Sequence, residues 1–252
     1  MLLQLVGLHK IFPGGVVALD DVSLDLPAGE HLSVAGESGC GKTTLARIVM
    51  GLEVPDKGRV IFQDREFVSA ADRRGDFCRQ VRMVFQDPFM SLDPRYPVHA
   101  VLKEALTLEP RMGRDEEASR MRAALALVRL PADILARYPH EFSGGERQRL
   151  AIARALMSRP ALLILDEVLS SLDVLVQQDI LAVLEDLPRL TGVTYLFISH
   201  NWRAVRRLSR RVAVMRHGRI VECSGCEELF RSSRHPYTQA LLKAAFYYEE
   251  SA

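Results

Sequence analysis

Short apolar runs separated by turn residues dominate the first part of the chain, a pattern that predicts β-strands. From Lys42 onward the apolar positions take the three- and four-residue spacing of a helix, which we expect to end at the turn Pro55–Gly58. The predicted strands lie at residues 2–8, 16–19, 22–26, 31–35 and 59–63.

Helical spacing prevails from residue 87 to about residue 159, and strands and helices then alternate again. Further strands are predicted at 161–165, 194–199 and 211–215, and helices at 98–108, 115–130, 132–138, 144–157, 174–187 and 202–208. The 252 residues are therefore expected to form a single domain, an α/β core interrupted by a helical insert. The core is assigned to 1–86 and 160–230, the helical subdomain to 87–159 and a short C-terminal extension to 231–252.

The composition of the chain bears on its partners and on its location in the cell. The 33 basic and 32 acidic residues nearly cancel, so charge gives no reason to expect a nucleic acid or an anionic membrane as partner. No apolar run approaches the roughly 20 residues that span a bilayer, and the first residues lack a basic leader, so we expect a soluble, cytoplasmic chain. We interpret the four cysteines as free thiols, although Cys223 and Cys226 leave a metal or redox pair as the alternative.

A phosphate-binding loop is the first chemical motif. The segment Gly36–Thr43 fits G-x-x-x-x-G-K-[ST] between a predicted strand and a predicted helix, a context that disfavours a chance glycine-rich turn. Its amides would surround the β-phosphate of ATP, Lys42 would reach the β- and γ-phosphates, and the Thr43 hydroxyl would bind Mg²⁺. The predicted nucleotide contacts are Gly36, Glu37, Ser38, Gly39, Cys40, Gly41, Lys42, Thr43 and Thr44.

Two carboxylates follow the apolar run Leu162–Leu165. Asp166 is expected to hold Mg²⁺ directly or through water, and Glu167 to act as general base on the attacking water. Taken alone, such a pair also suits a solvated helix N-terminus. The phosphate loop upstream makes the catalytic interpretation the stronger one.

The segment Phe142–Arg149, Phe-Ser-Gly-Gly-Glu-Arg-Gln-Arg, resembles the signature of the ATP-binding cassette (ABC) ATPase family. The resemblance implies a P-loop core of the ABC type, with an antiparallel β subdomain at the N-terminus and an inserted α-helical subdomain. It also implies that the signature of one subunit closes over ATP held by another, so that two chains pair head to tail. Ser143 would cap the helix, and the capped start would favour an anion. The implied contacts are Ser143, Gly144, Gly145 and Glu146, and a capped helix without any ligand is the alternative.

The resemblance assigns further roles. Phe12 takes the place of the aromatic that stacks on adenine, with a core phenylalanine as the alternative. Gln86 matches the glutamine that senses Mg²⁺ and water, and His200 matches the histidine that contacts the γ-phosphate, although a lone histidine after a strand is more often structural. Ser170-Ser171-Leu172-Asp173 matches the loop that touches the opposite subunit.

Three positions depart from the family pattern. Glu146 replaces the commoner glutamine, from which we expect little cost. Val168-Leu169 replaces a frequent Pro-Thr, which would alter how the loop packs. Cys40 lies inside the phosphate loop, where nearby amides and Lys42 are expected to lower its pKa.

Three segments resemble ATPases of dipeptide, oligopeptide and nickel importers: Gln86–Arg95, Asp166–Gln177 and His235–Leu242. This implies a second ATP-binding subunit, two transmembrane permease subunits and an extracytoplasmic solute-binding protein, with the chain peripheral on the cytoplasmic face of the inner membrane. The solute would be a peptide, nickel or a metal chelate. The ATPase of a non-transport complex that cleaves phosphonate C–P bonds shares the same motifs and is the alternative.

Overall fold

The computed structural model describes residues 1–67, 75–87, 91–170 and 172–246. The chain divides into two compact units, one formed by Met1–Arg73 with Tyr195–Ala252 and the other by Arg74–Thr194. The architecture is mixed α/β, as the sequence predicted.

An antiparallel sheet forms the N-terminal part of the first unit, in the strand order β2–β1–β4–β5. This confirms the expected antiparallel subdomain. The pair Asp20-Asp21 suggested a break between two short strands, but β2 runs through it. Asp21 takes φ 57°, and the register with β1 shifts nearby, so a bulge absorbs the polar pair. The strands are β1 Leu3–Phe12, β2 Val16–Leu26, β4 Lys57–Phe62 and β5 Arg65–Phe67.

A second sheet of this unit carries the phosphate loop. Its strands lie in the order β10–β9–β3–β8, with β3 parallel to both β8 and β9 and with β10 antiparallel to β9. Strands β3 and β8 are buried along their whole length, as expected for continuous apolar runs in a parallel sheet. The strands are β3 Leu32–Ala35, β8 Thr194–Ile198, β9 Arg211–Arg216 and β10 Arg219–Gly225.

Four helices belong to the first unit within its described residues. Helix α1 follows β3 and ends at Gly51, which takes the left-handed conformation with φ 83°. Helix α7 has the bounds that the sequence predicted, whereas β10, α8 and α9 were not predicted. The helices are α1 Lys42–Met50, α7 Trp202–Leu208, α8 Cys226–Ser232 and α9 Pro236–Phe246.

The second unit contains the helical insert and two parallel strands, β6 Val81–Val84 and β7 Leu162–Asp166. The helix predicted at 132–138 is wrong, because the structure has two short 3₁₀ segments, Ala132–Ala136 and Pro139–Glu141. Pro139 disfavours helical geometry at the residue before it, which explains the interruption. The α-helices are α2 Asp76–Gln80, α3 Val98–Glu104, α4 Arg114–Leu127, α5 Gly144–Leu156 and α6 Val174–Thr191.

A search of the described ranges for a helix long and apolar enough to cross a membrane finds none.

Candidate functional site

Glycine is required at two positions of the phosphate loop by close backbone contacts. A Cβ atom on Gly36 would lie 2.3 Å from the Met215 carbonyl oxygen, and one on Gly41 would lie 2.2 Å from that of Ala18. At Gly39, in contrast, a Cβ would meet nothing within 4 Å, and its φ of 80° alone favours glycine. The loop is therefore packed at both ends and open in its middle.

Lys42 is held inside this loop although it carries a charge. Its side chain is 5 % exposed, and Nζ donates hydrogen bonds of 2.8 Å to the carbonyl oxygens of Gly36 and Glu37. Helix α1 begins at Lys42 itself, so the positive end of the helix dipole lies at the loop. An open, glycine-lined turn with a fixed ammonium and a helix start fits the phosphates of ATP.

The β9–β10 hairpin supports the loop from one side. The Gly218 amide donates to the Cys40 carbonyl at 3.0 Å, and the Gly218 carbonyl in turn accepts from the Asp20 amide at 2.8 Å. The hairpin turn consists of His217 and Gly218, which both take positive φ as a tight two-residue turn requires.

Tyr237 also reaches the loop, which sequence reasoning missed. The Glu37 amide donates to the Tyr237 hydroxyl at 3.4 Å, and the tyrosine is only 9 % exposed. The Arg216 guanidinium covers its ring at 4.6 Å from the centroid. The motif that begins at His235 marked this segment as resembling importer ATPases, but no local signal placed it near the phosphate loop.

The prediction that the pKa of Cys40 is lowered is wrong. Burial raises the pKa of this thiol, and the opposing effects of Lys42 and of backbone hydrogen bonds are smaller. Cys40 is 7 % exposed, and its Sγ lies 3.8 Å from Lys42 Nζ. Desolvation of the thiolate outweighs a single nearby cation, which the sequence could not reveal.

Phe12 ends β1 and is partly exposed. The Lys10 ammonium lies 5.4 Å from its ring centroid. A side chain that retains solvent-facing surface is not the core phenylalanine of the alternative interpretation.

The two strand-end acids differ in environment. Asp166 is the last residue of β7 and is 4 % exposed. Glu167 follows it with φ 50°, a conformation that is uncommon for residues other than glycine and often found at functional sites. The Glu167 carbonyl accepts hydrogen bonds from the Ser170 amide at 3.1 Å and the Ser170 hydroxyl at 2.9 Å, which closes a tight turn.

The loop after Glu167 is tied down by polar contacts and by burial. Val168 and Leu169 are 2 % and 1 % exposed, so the departure from Pro-Thr yields a packed loop. The Gln177 side-chain amide donates to the carbonyls of Leu169 and Leu172 at 3.0 and 2.9 Å. Asp173 caps α6 by accepting from the Val176 amide at 3.0 Å. Ser171 lies outside the described residues.

The predicted signature opens α5 with a capping box. The Glu146 carboxylate accepts from the Ser143 amide at 2.8 Å and from its hydroxyl at 2.9 Å, while the Glu146 amide donates back to that hydroxyl at 3.3 Å. These hydrogen bonds lower the pKa of Glu146. Glutamate is therefore suited to this position. Its carboxylate accepts the hydrogen bonds of the capping box, and its negative charge interacts favourably with the positive end of the helix dipole.

The two signature glycines have different surroundings. A Cβ on Gly145 would lie 2.3 Å from Val176 Cγ1 in the first turn of α6, whereas one on Gly144 would make an ordinary 3.5 Å contact with Leu172. Gly145 is buried and Gly144 is exposed. The sequence named both glycines only as implied contacts to ATP, but at Gly145 the packing of α5 against α6 already demands glycine.

Gln86 and His200 follow β6 and β8 by two residues each, at the strand ends where the sequence placed them. Both are exposed. Within the first unit the structure thus brings the phosphate loop together with the β9–β10 hairpin and Tyr237. Within the second unit it brings the signature together with the loop that precedes α6.

Comparison with known proteins identifies the family that the chain resembles. Residues 19–170 match the family described as ABC transporter. The chain is 42% identical to the oligopeptide transport ATP-binding protein AppF of Bacillus subtilis, over 96% of this chain and 78% of that protein. It is 40% identical to the dipeptide transport ATP-binding protein DppF of Escherichia coli, over 96% of this chain and 76% of that protein.

Solved structures give the same picture of the fold. CbiO1 from Clostridium perfringens, part of the ABC transporter complex CbiONQ, matches with a TM-score of 0.83 at 26% identity, over 92% of this chain and 91% of that one. The dimeric structure of MJ0796, a bacterial ABC transporter cassette, matches with a TM-score of 0.77 at 25% identity, over 89% of this chain and 99% of that one.

Proposed function

Since the chain belongs to the ABC transporter family and is an ATPase of that family, we propose that its ATP hydrolysis powers the import of a peptide through membrane permease subunits. The observation that carries this proposal is the similarity to two proteins named for oligopeptide and dipeptide transport along 96% of this chain. Nickel or a metal chelate, which the sequence motifs also allowed, has no such support among these relatives.

ATP is proposed to bind at the phosphate loop. The loop amides and Lys42 would hold the β- and γ-phosphates, a role supported by the open middle of the loop and by the fixed ammonium. Phe12 would stack on adenine. Mg²⁺, when bound, would neutralise charge on the phosphates, and Thr43, Gln86 and Asp166 are the residues proposed to hold it or its water.

Hydrolysis requires a proton to leave the attacking water. We assign its acceptance to the Glu167 carboxylate, while His200 would contact the γ-phosphate. The left-handed backbone of Glu167 supports this role, because the turn closed by Ser170 sets the direction in which the carboxylate leaves the main chain.

A second ATP-binding subunit, identical or distinct, is proposed to complete the site in a head-to-tail dimer. Residues Ser143–Glu146 of one subunit would close over ATP bound by the other. Support comes from the exposure of Ser143 and Gly144 at the capped start of α5, where helix polarity favours an anion.

The permease is proposed to dock on residues 89–98, following Gln86. Phe89 and Met90 lie outside the described residues. In the described remainder, Tyr96 is 54 % exposed, and Asp93 pairs with Arg95 at 2.7 Å in a surface turn. Such a docking site would place the chain peripherally on the cytoplasmic face of the inner membrane.

Co-purification with the products of neighbouring genes, followed by ATPase assays of the reconstituted complex, tests the proposal. Peptides presented with the solute-binding protein should raise ATPase activity, and in a complex carrying Glu167→Gln the single-turnover rate at this chain's site should not respond. Stimulation by nickel alone would reassign the solute. Association with phosphonate-cleaving proteins and no permease would replace transport by the non-transport alternative.

A further inference from the structure

A hydrogen bond joins the C-terminal segment to the phosphate loop. The Glu37 amide, one residue into the loop, donates to the Tyr237 hydroxyl at 3.4 Å. Burial raises the pKa of this hydroxyl, so it remains a neutral partner at physiological pH. The contact spans 200 residues of sequence.

The start of α9, which carries Tyr237, is fixed by several independent contacts. Glu222 of β10 accepts from the amides of Arg234 and His235 at 2.8 and 3.2 Å. The Tyr237 amide donates to His235 Nδ1 at 3.1 Å, and the Gln239 side chain donates to the Ser233 carbonyl at 2.8 Å. A side chain mounted on such an anchored turn keeps its position without help from a ligand.

Strand β9 supports the loop and the tyrosine through neighbouring residues. The Met215 carbonyl lies against Gly36, closer than any Cβ would tolerate, and the Arg216 guanidinium covers the Tyr237 ring. Glu37 follows Gly36 directly, so the loop entry is enclosed by β9 and by α9.

We propose that Tyr237 is a positioning residue for nucleotide binding, whose hydroxyl holds the Glu37 amide and keeps the entry of the phosphate loop in its binding shape. The inference rests on the proposed binding of ATP at this loop. If the loop spends part of its time in conformations that cannot bind nucleotide, the apparent Kd rises as the binding-competent fraction falls. The contact therefore acts on affinity and not on the chemical step.

Tyr237→Phe is the sharpest test, because it removes the hydroxyl and keeps the ring beneath Arg216. A typical hydrogen bond predicts a roughly two- to tenfold rise in the Kd of the full-length chain for MgATP, and the same factor for MgADP. Hydrogen exchange of nucleotide-free protein should accelerate in peptides that cover residues 36–44. The turnover rate at saturating ATP should stay within about twofold of wild type, since the hydroxyl contributes only to binding.

Gln239→Ala is the matched control, because it weakens the start of α9 and leaves the tyrosine hydroxyl in place. It should keep wild-type affinity and loop exchange even if its melting temperature falls. If Tyr237→Phe matches wild type in both measurements, or if both variants weaken binding equally, the positioning role is overturned. A wild-type chain that binds no MgATP would overturn the proposed function, and this inference with it.

Discussion

Glu167 combines the carboxylate proposed as general base with a backbone conformation that is uncommon for residues other than glycine. Its φ of 50° occurs directly after the buried strand-end residue Asp166. A conformation of this kind costs on the order of 1–3 kcal/mol, so it persists only where surrounding contacts enforce it. Here the two hydrogen bonds from Ser170 to the Glu167 carbonyl contribute that enforcement.

Glu167→Gln should lower turnover and leave ATP binding intact. Glutamine keeps the size of the side chain and can hydrogen-bond to water, but it cannot accept the proton. A loss of about 10² to 10⁴-fold in single-turnover rate is expected, with an ATP Kd close to that of wild type. Single-turnover measurement is required, because an intact partner site would mask the loss in steady state.

Lys42→Ala provides the contrasting control, since it removes a group proposed to contact phosphate and should therefore lose both binding and turnover. A near-normal single-turnover rate in Glu167→Gln, or equal losses of binding and rate, would exclude Glu167 as general base.

Cys40 should react slowly with maleimides at neutral pH. Its pKa is raised, so at pH 7 to 8 its thiolate fraction lies below that of an ordinary thiol, and the rate should rise with pH until it passes the raised pKa. A variant with the other three cysteines replaced by serine isolates this thiol. A pH–rate profile with a midpoint above that of an ordinary cysteine thiol is expected. A midpoint below that of an ordinary thiol would show that the effect of Lys42 on the pKa outweighs burial, as the sequence suggested.

At the scale of elements, the start of α5 shows that a glycine of a predicted binding motif can also be required by helix packing. Gly145 lies against Val176 at the start of α6, while the neighbouring Gly144 faces open space on most sides. The signature is therefore also a helix–helix contact within one chain.

Gly145→Ala should destabilise the fold by about 1–3 kcal/mol, because the new methyl group would overlap Val176 Cγ1, which belongs to a stiff β-branched side chain. Gly144→Ala should change the free energy of unfolding by no more than about 0.5 kcal/mol. Urea denaturation measures both. The double variant with Val176→Ala should recover part of the loss, and strict additivity of the two changes would argue against direct contact.

Elements with local signals could be predicted from sequence, and those fixed by distant contacts could not. Helix α7 has the bounds that the sequence predicted, and its start has a local cause: Asn201 supplies a side-chain cap by accepting from the Ala204 amide at 3.1 Å. The strand before the phosphate loop and the helix after it likewise followed from the order of the residues. In contrast, tertiary packing determines two contacts that the sequence did not predict: the hydrogen bond between Glu37 and Tyr237 and the close approach of Gly145 to Val176. Local sequence patterns give no signal for contacts of this kind.

At the scale of the whole molecule, the proposed head-to-tail pairing predicts that a single chain carries an incomplete catalytic site. Hydrolysis per chain should therefore fall when the sample is diluted until it is monomeric. Activity assays combined with size measurements at each concentration test this dependence. Full-rate hydrolysis by monomers would contradict a site shared between subunits.

Mixing two inactive variants tests the head-to-tail arrangement directly. Lys42→Ala destroys the phosphate loop and keeps the signature, while Ser143→Arg blocks the signature and keeps the loop. Each alone should be inactive, but a mixed pair contains one complete site and should recover part of the activity. No recovery, at a concentration where wild type is active and paired, would reject the arrangement.

The hydrogen bond between Glu37 and Tyr237 can form only late in the synthesis of the chain, because its partners are 200 residues apart in sequence. A ribosome adds about 5–20 residues per second, so the 200 residues between the two partners require roughly 10–40 s of synthesis. During that interval the phosphate loop has been synthesised without the hydroxyl proposed to position it. On this proposal, the nascent chain reaches its full nucleotide affinity late, after the residues proposed to touch the nucleotide have been made.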